Sequence, residues 1–159
     1  KTVYKLEPIL DDPRYEGFAA SDDAVYDILS PAGRIGSRLD LAHVETLLAT
    51  GRVRPFNDFP CLGLLPAFSP RAVDALRTVL EENGELLPFE SDIGTYFLYN
   101  IRTIVAGLDV EHSECEAFDD GRIFNINHYE FEPEKVEDLT IFRLGIEPSQ
   151  VYVTNAFVR

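Results

Sequence analysis

The strongest local signal in the sequence runs over residues 68–80. Ser69 is a good N-cap, Pro70 suits the first helical position, and Val73, Leu76, Val79 and Leu80 form one apolar stripe. Asn83-Gly84 supplies the stop. Residues 85–89 and 95–101 then read as strands separated by a Ser91-Asp92 turn. Helices do not alternate regularly with strands, so a doubly wound parallel sheet does not fit. The pattern predicts an α+β fold: a mixed, mostly antiparallel sheet of about seven short strands with two to four helices.

The remaining elements are shorter. Residues 3–6 read as an opening strand, and Asp11-Asp12-Pro13-Arg14 has turn chemistry. Residues 24–29 suit a second strand, closed by Ser30-Pro31-Ala32-Gly33. Asp40 can cap a short helix whose apolar positions are Leu41, Val44, Leu47 and Leu48, with Gly51 just past its end. Residues 52–66, with three Pro, read as a surface loop, and residues 104–108 as a single helical turn. Between 122 and 131 neither alternating face is purely polar, which predicts a strand covered on both sides. Residues 133–139 suit a short helix, 140–144 and 151–153 strands, and Thr154 can cap a final helix. Seven of the ten Pro lie at or before Pro70. The expected organisation is therefore one domain over 1–159, with a proline-rich part, 1–67, leading into an α+β core, 68–159.

A chain of 159 residues buries roughly 70% of its unfolded surface, so it needs no metal or disulfide to fold. Its 45% hydrophobic and 11% aromatic content is too rich for a disordered acidic tail. The formal charge of −14 argues against a nucleic-acid partner and against an anionic membrane surface. It permits a cationic partner. Cys61 and Cys115 are the only thiols and form no paired framework, and no signal peptide or long apolar run is present. A cytoplasmic protein with two free thiols is the expectation. With no Met, even at position 1, the segment is expected to have lost residues at one or both ends.

The charge is regional. Residues 1–80 hold 11 acidic and 9 basic side chains, whereas 81–147 hold 17 acidic and only 4 basic. The densest span is 109–138, with Asp109, Glu111, Glu114, Glu116, Asp119, Asp120, Glu130, Glu132, Glu134, Glu137 and Asp138 against Arg122 and Lys135. Such density is self-repulsive, an odd choice for a purely structural face, although acidic loops also solubilise proteins. His112-x-x-Cys115 has local ligand spacing, and His128 would approach it if residues 113–127 formed a hairpin around Asp119-Asp120-Gly121. That set would suit a small metal-dependent enzyme, but four Cys/His ligands for a structural zinc are lacking. No phosphate loop, nucleophile elbow or zinc-protease helix occurs, and nothing reads as a catalytic constellation.

Several segments together resemble the immunity protein 11 family of bacterial polymorphic-toxin systems, formerly a domain of unknown function. They are Phe68-Ser69-x-Arg71-Ala72-Val73-Asp74-Ala75-Leu76, Gly84-Glu85-x-Leu87-Pro88, Tyr96-x-x-x-Asn100 and Leu108-Asp109. Leu139-x-Ile141-Phe142-Arg143-Leu144, Val151-Tyr152-Val153-Thr154-x-x-Phe157 and Asp12-Pro13-Arg14-Tyr15 extend the likeness. It runs thinly over most of the chain, densest from Phe68, and rests on structural positions. Similar proteins continue past the last strand into another helix, whereas this chain stops at Arg159. The resemblance implies a small cytoplasmic protein, not an enzyme and without a cofactor, that neutralises a toxin encoded beside it. Many toxins that attack nucleic acids carry basic clefts, which an acidic inhibitor can occupy. The expected contact residues are Asp109, Glu111, Glu114, Glu116, Asp119, Asp120, Glu134, Glu137 and Asp138, around an aromatic or Arg anchor. The alternatives are the metal-dependent enzyme on His112, Cys115 and His128, and a regulatory binding domain with no toxin partner.

Overall fold

The computed structural model describes residues 2–7, 14–20, 44–47, 54–62 and 65–158. Among these residues lie twelve strands and three helices, in mostly antiparallel sheets, an α+β fold. None of the helices is long and apolar enough to cross a membrane. The chain divides into two compact units, Glu7–Arg102 and Lys1–Leu6 with Thr103–Arg159, where length had suggested one. The compositional break after residue 67 is no boundary, because β5 runs across it and Ala67 pairs with Leu98 on the other side.

In the unit Glu7–Arg102, six strands close into a barrel: β2 (Gly17–Ala20), β3 (Val44–Leu47), β6 (Gly84–Ser91), β7 (Gly94–Ile101), β5 (Leu65–Phe68) and β4 (Cys61–Leu62). Its longest ladder, β6 with β7, runs without a break from Gly84↔Ile101 to Ser91↔Gly94. Gly94 turns the chain at a φ of 115°, where a side chain would be strained. Phe18, Leu62, Ala67, Phe89 and Leu98 form the core, and the Phe18 ring stacks on Phe56 at 4.7 Å and meets Tyr96 edge-on at 4.9 Å.

Helix α1 (Pro70–Asn83) begins as expected: the Ser69 hydroxyl accepts from the Ala72 N–H at 3.1 Å. The same hydroxyl donates to Asp58 at 2.6 Å, and the Arg71 guanidinium and Ser69 together hold the Asp58 carboxyl below the usual range. Val73 and Leu80 bury the inner stripe, and the Tyr99 hydroxyl donates to the Leu80 carbonyl at 2.9 Å. The helix passes directly into β6 at Gly84. A Cβ there would lie 2.4 Å from the Asn100 carbonyl oxygen and 2.6 Å from the Tyr99 ring. Gly84→Ala is therefore expected to lower the stability of this unit by about 1–3 kcal/mol in chemical denaturation, through overpacking alone.

Two expectations fail in this unit. Residues 44–47 form strand β3 instead of a helix, because Val44 to Leu47 pair with Ala20 to Gly17 and Val44 also bridges Ser91. Tertiary pairing overrides a helical apolar spacing that β-branched Val44 and Thr46 support only weakly. Within 52–66, where the sequence predicts a loop, β4 and the start of β5 form. The expected turn at 11–13, the strand at 24–29, its closing turn and most of the helix proposed from Asp40 lie outside the described residues.

In the other unit, β1 (Val3–Leu6), β12 (Glu147–Thr154), β11 (Ile141–Leu144) and β8 (Ile104–Val105) form a sheet in that order, with only β8 parallel to its neighbour. All four residues of β11 are buried, as a central strand requires. Leu108, Ile126, Val136, Phe142, Leu144 and Tyr152 make the core. The helical turn expected over 104–108 is absent. Ile104 and Val105 extend the sheet, with Arg143 N–H bonded to Thr103 O at 2.9 Å, and Leu108 bridges Phe131. Helix α2 (Pro133–Val136) buries Val136, and α3 (Asn155–Val158) starts at Thr154, whose hydroxyl accepts from the Ala156 N–H at 3.3 Å.

Candidate functional site

Strands β9 (Glu114–Ala117) and β10 (Ile123–His128) pair as an antiparallel hairpin around Asp119-Asp120-Gly121, with Gly121 at a φ of 84°. Register shifts interrupt the ladder on both sides of Asn125 and Ile126. They turn Cys115, Ile123 and Ile126 toward the core and leave Glu114, Glu116, Asn125 and Asn127 in solvent. The expectation that residues 122–131 are covered on both faces is thus wrong. Its mixed apolar pattern comes from bulges, which break the period-two alternation that the inference assumed.

Part of the acidity is consumed in holding the hairpin. The Asn127 and Asn125 amides donate to one Glu116 oxygen at 2.8 and 2.9 Å, and these bonds hold the Glu116 carboxyl below its ordinary range. The Arg122 N–H and guanidinium do the same for Asp120 at 3.0 and 2.7 Å. At the base, the His112 ring sits 2.8 Å from Asp109, which is likewise lowered, and the Ser113 hydroxyl accepts from the Glu130 N–H at 3.0 Å. Asp109, Glu116 and Asp120 are therefore structural as much as they are available. Glu111, Glu114 and Asp119 are exposed, and their side chains make no hydrogen bond or ion pair to a described residue. The hairpin and its base turn bring six of the nine candidate acids together. Glu134, Glu137 and Asp138 lie exposed on α2 and the turn after it, where the Glu132 N–H anchors the backbone to Gly107 O at 2.9 Å.

The tip carries what the charge pattern concealed. Phe118 and Phe124 are each 53% exposed, and their rings meet at 4.7 Å with the Arg122 guanidinium 5.4 Å over Phe118. Phe124 occupies the first bulge, which tips its ring out toward Phe118. Two large apolar side chains held in solvent among carboxylates are the unusual feature here.

The metal-ligand set does not assemble. His112 is 73% exposed and turned to Asp109, His128 lies 3.2 Å from Glu130, and Cys115 faces the core. The hairpin forms as the spacing required, but it pairs His128 with Glu114 and Cys115 with Ile126, so strand geometry separates the ligands. Among the described residues no group of three His, Cys, Asp or Glu could hold a metal ion. The Cys61 side chain lies outside the described residues. Compared with known proteins, the sequence matches no family model and no curated protein.

Proposed function

We propose that the chain is a cytoplasmic immunity protein that binds and neutralises a basic toxin domain through the β9–β10 hairpin. The observation that supports this reading is the Phe118–Phe124 pair, exposed at the hairpin tip where Asp119 and Asp120 directly follow Phe118. A solvated acidic face has no use for such a pair. An interface uses both parts: an aromatic anchor enters a desolvated pocket and supplies affinity, while the surrounding charge steers encounter. The arrangement acts without chemistry, by occluding a cationic cleft with carboxylates in place of substrate phosphates.

The test is co-purification with the toxin domain encoded beside this chain, followed by kinetics on the pair. A complex that survives gel filtration is expected, and failure of the two to associate overturns the reading. Phe118→Ala is expected to weaken the complex about ten-fold, mostly by faster dissociation, because anchors act on residence time.

A further inference from the structure

A second feature of the unit containing the hairpin has chemistry of its own and does not depend on the toxin reading. A groove of about 390 Å³ lies between β1 and the segment after β10, walled by Tyr4, Tyr129 and Phe131 with Tyr152 beneath. That volume lies in the range of small-ligand sites. The rings are mutually supported: Tyr129 is 5.9 Å and Phe131 5.6 Å from Tyr152. Behind them the Tyr129 and Tyr152 hydroxyls both donate to the Glu147 carboxylate, Tyr129 at 2.9 Å. Donation to an anion pushes electron density into each phenol ring, which makes its face more attractive to a cation. Glu130 adds a second carboxylate at the rim.

The groove already demonstrates this preference. The Lys5 ammonium lies over the Tyr129 ring, 4.3 Å from its centroid, and donates to the Tyr129 hydroxyl at 2.9 Å. Lys5 sits on an exposed position of edge strand β1, and its long stem lets the ammonium swing out without disturbing the ladder. We infer that this groove is a binding site for an alkylammonium group, occupied by the chain's own Lys5 until an external cation displaces it. An anion fits poorly, since it would face aromatic π-surfaces and the Glu130 carboxylate. The same chemistry can come from a free quaternary amine or from a lysine side chain of a protein.

Removal of the internal occupant should expose the site. In NMR titrations of the full chain, Lys5→Ala is expected to bind choline about five-fold more tightly than the unsubstituted chain, with shifts centred on the Tyr129 and Tyr152 rings. The neutral isostere 3,3-dimethyl-1-butanol should not saturate. Tyr129→Leu, made in the Lys5→Ala background, should abolish the response, and the Lys5→Ala comparison stands even if that variant fails to fold. Saturation by choline identifies a free amine as sufficient; saturation only by an acetyl-Gly-Lys-Gly-amide peptide assigns the site to a protein side chain. The inference is overturned if neither probe saturates Lys5→Ala, if Lys5→Ala binds no better than the unsubstituted chain, or if acetate binds the latter through Lys5.

Discussion

Replacement of Glu111, Glu114 and Asp119 by Lys is expected to slow association with the toxin domain about a hundred-fold at low salt and to flatten its salt dependence. These are the acids of the hairpin and its base turn whose side chains make no bond to a described residue, and the change shifts the formal charge from −14 to −8. Their fields act on a basic partner before contact, over a Debye length of about 10 Å at moderate salt. Glu116 and Asp120 are left in place because they fix Asn125, Asn127 and Arg122, so reversing them would confuse lost steering with a distorted hairpin. Thermal stability should change little, since exposed substitutions of this kind usually stay within about 0.5 kcal/mol. The matched variant Glu134→Lys, Glu137→Lys, Asp138→Lys carries the same charge change on α2 and the turn after it. Stopped-flow measurement of both discriminates the surfaces: equal slowing means that only net charge matters, and unchanged rates remove the acidic surface from the interface.

The largest effect on folding should come from Phe142→Ala, which is expected to lower the stability of its unit by about 3–5 kcal/mol. Phe142 is fully buried in β11, stacked on Tyr152 at 5.6 Å and met edge-on by Phe131 at 6.2 Å. Truncation removes the ring on which both neighbours rest and leaves a cavity in the core cluster that also holds Leu144 and Val136. Against a total stability of about 5–15 kcal/mol, such a loss populates the unfolded state at ordinary temperature. Phe124→Ala provides the contrast. Its ring is 53% exposed, so its removal should change the free energy of unfolding in guanidinium by less than about 0.5 kcal/mol while weakening the complex. Equal losses from the two substitutions would make the hairpin tip part of a core, and the anchoring role would fall.

Helix α1 was legible because every signal in it is local: the Ser69 cap, Pro70 and the spacing of Val73 and Leu80 act within a few turns of the same segment. The hairpin β6–β7 was legible for the same reason, as its partners adjoin in sequence. Segment 44–47 was not. Its apolar positions satisfy a helical spacing, and only pairing with residues 17–20, far away in sequence, makes it a strand. Strand β8 was misread for the same cause, since β11 recruits it from nearly forty residues on.

The candidate site divides along the same line. Residue order alone located the acids and the Asp119-Asp120-Gly121 turn, because charge and turn chemistry are properties of the residues themselves. Only the tertiary structure decided which carboxylates are spent on Asn125, Asn127, Arg122 and His112, and which stay available. It alone separated His112, Cys115 and His128, exposed Phe118 and Phe124, and set Lys5 over Tyr129, 124 residues away in the chain. Register and bulges govern these outcomes. Both depend on long-range backbone pairing, which a local pattern of residue types does not encode.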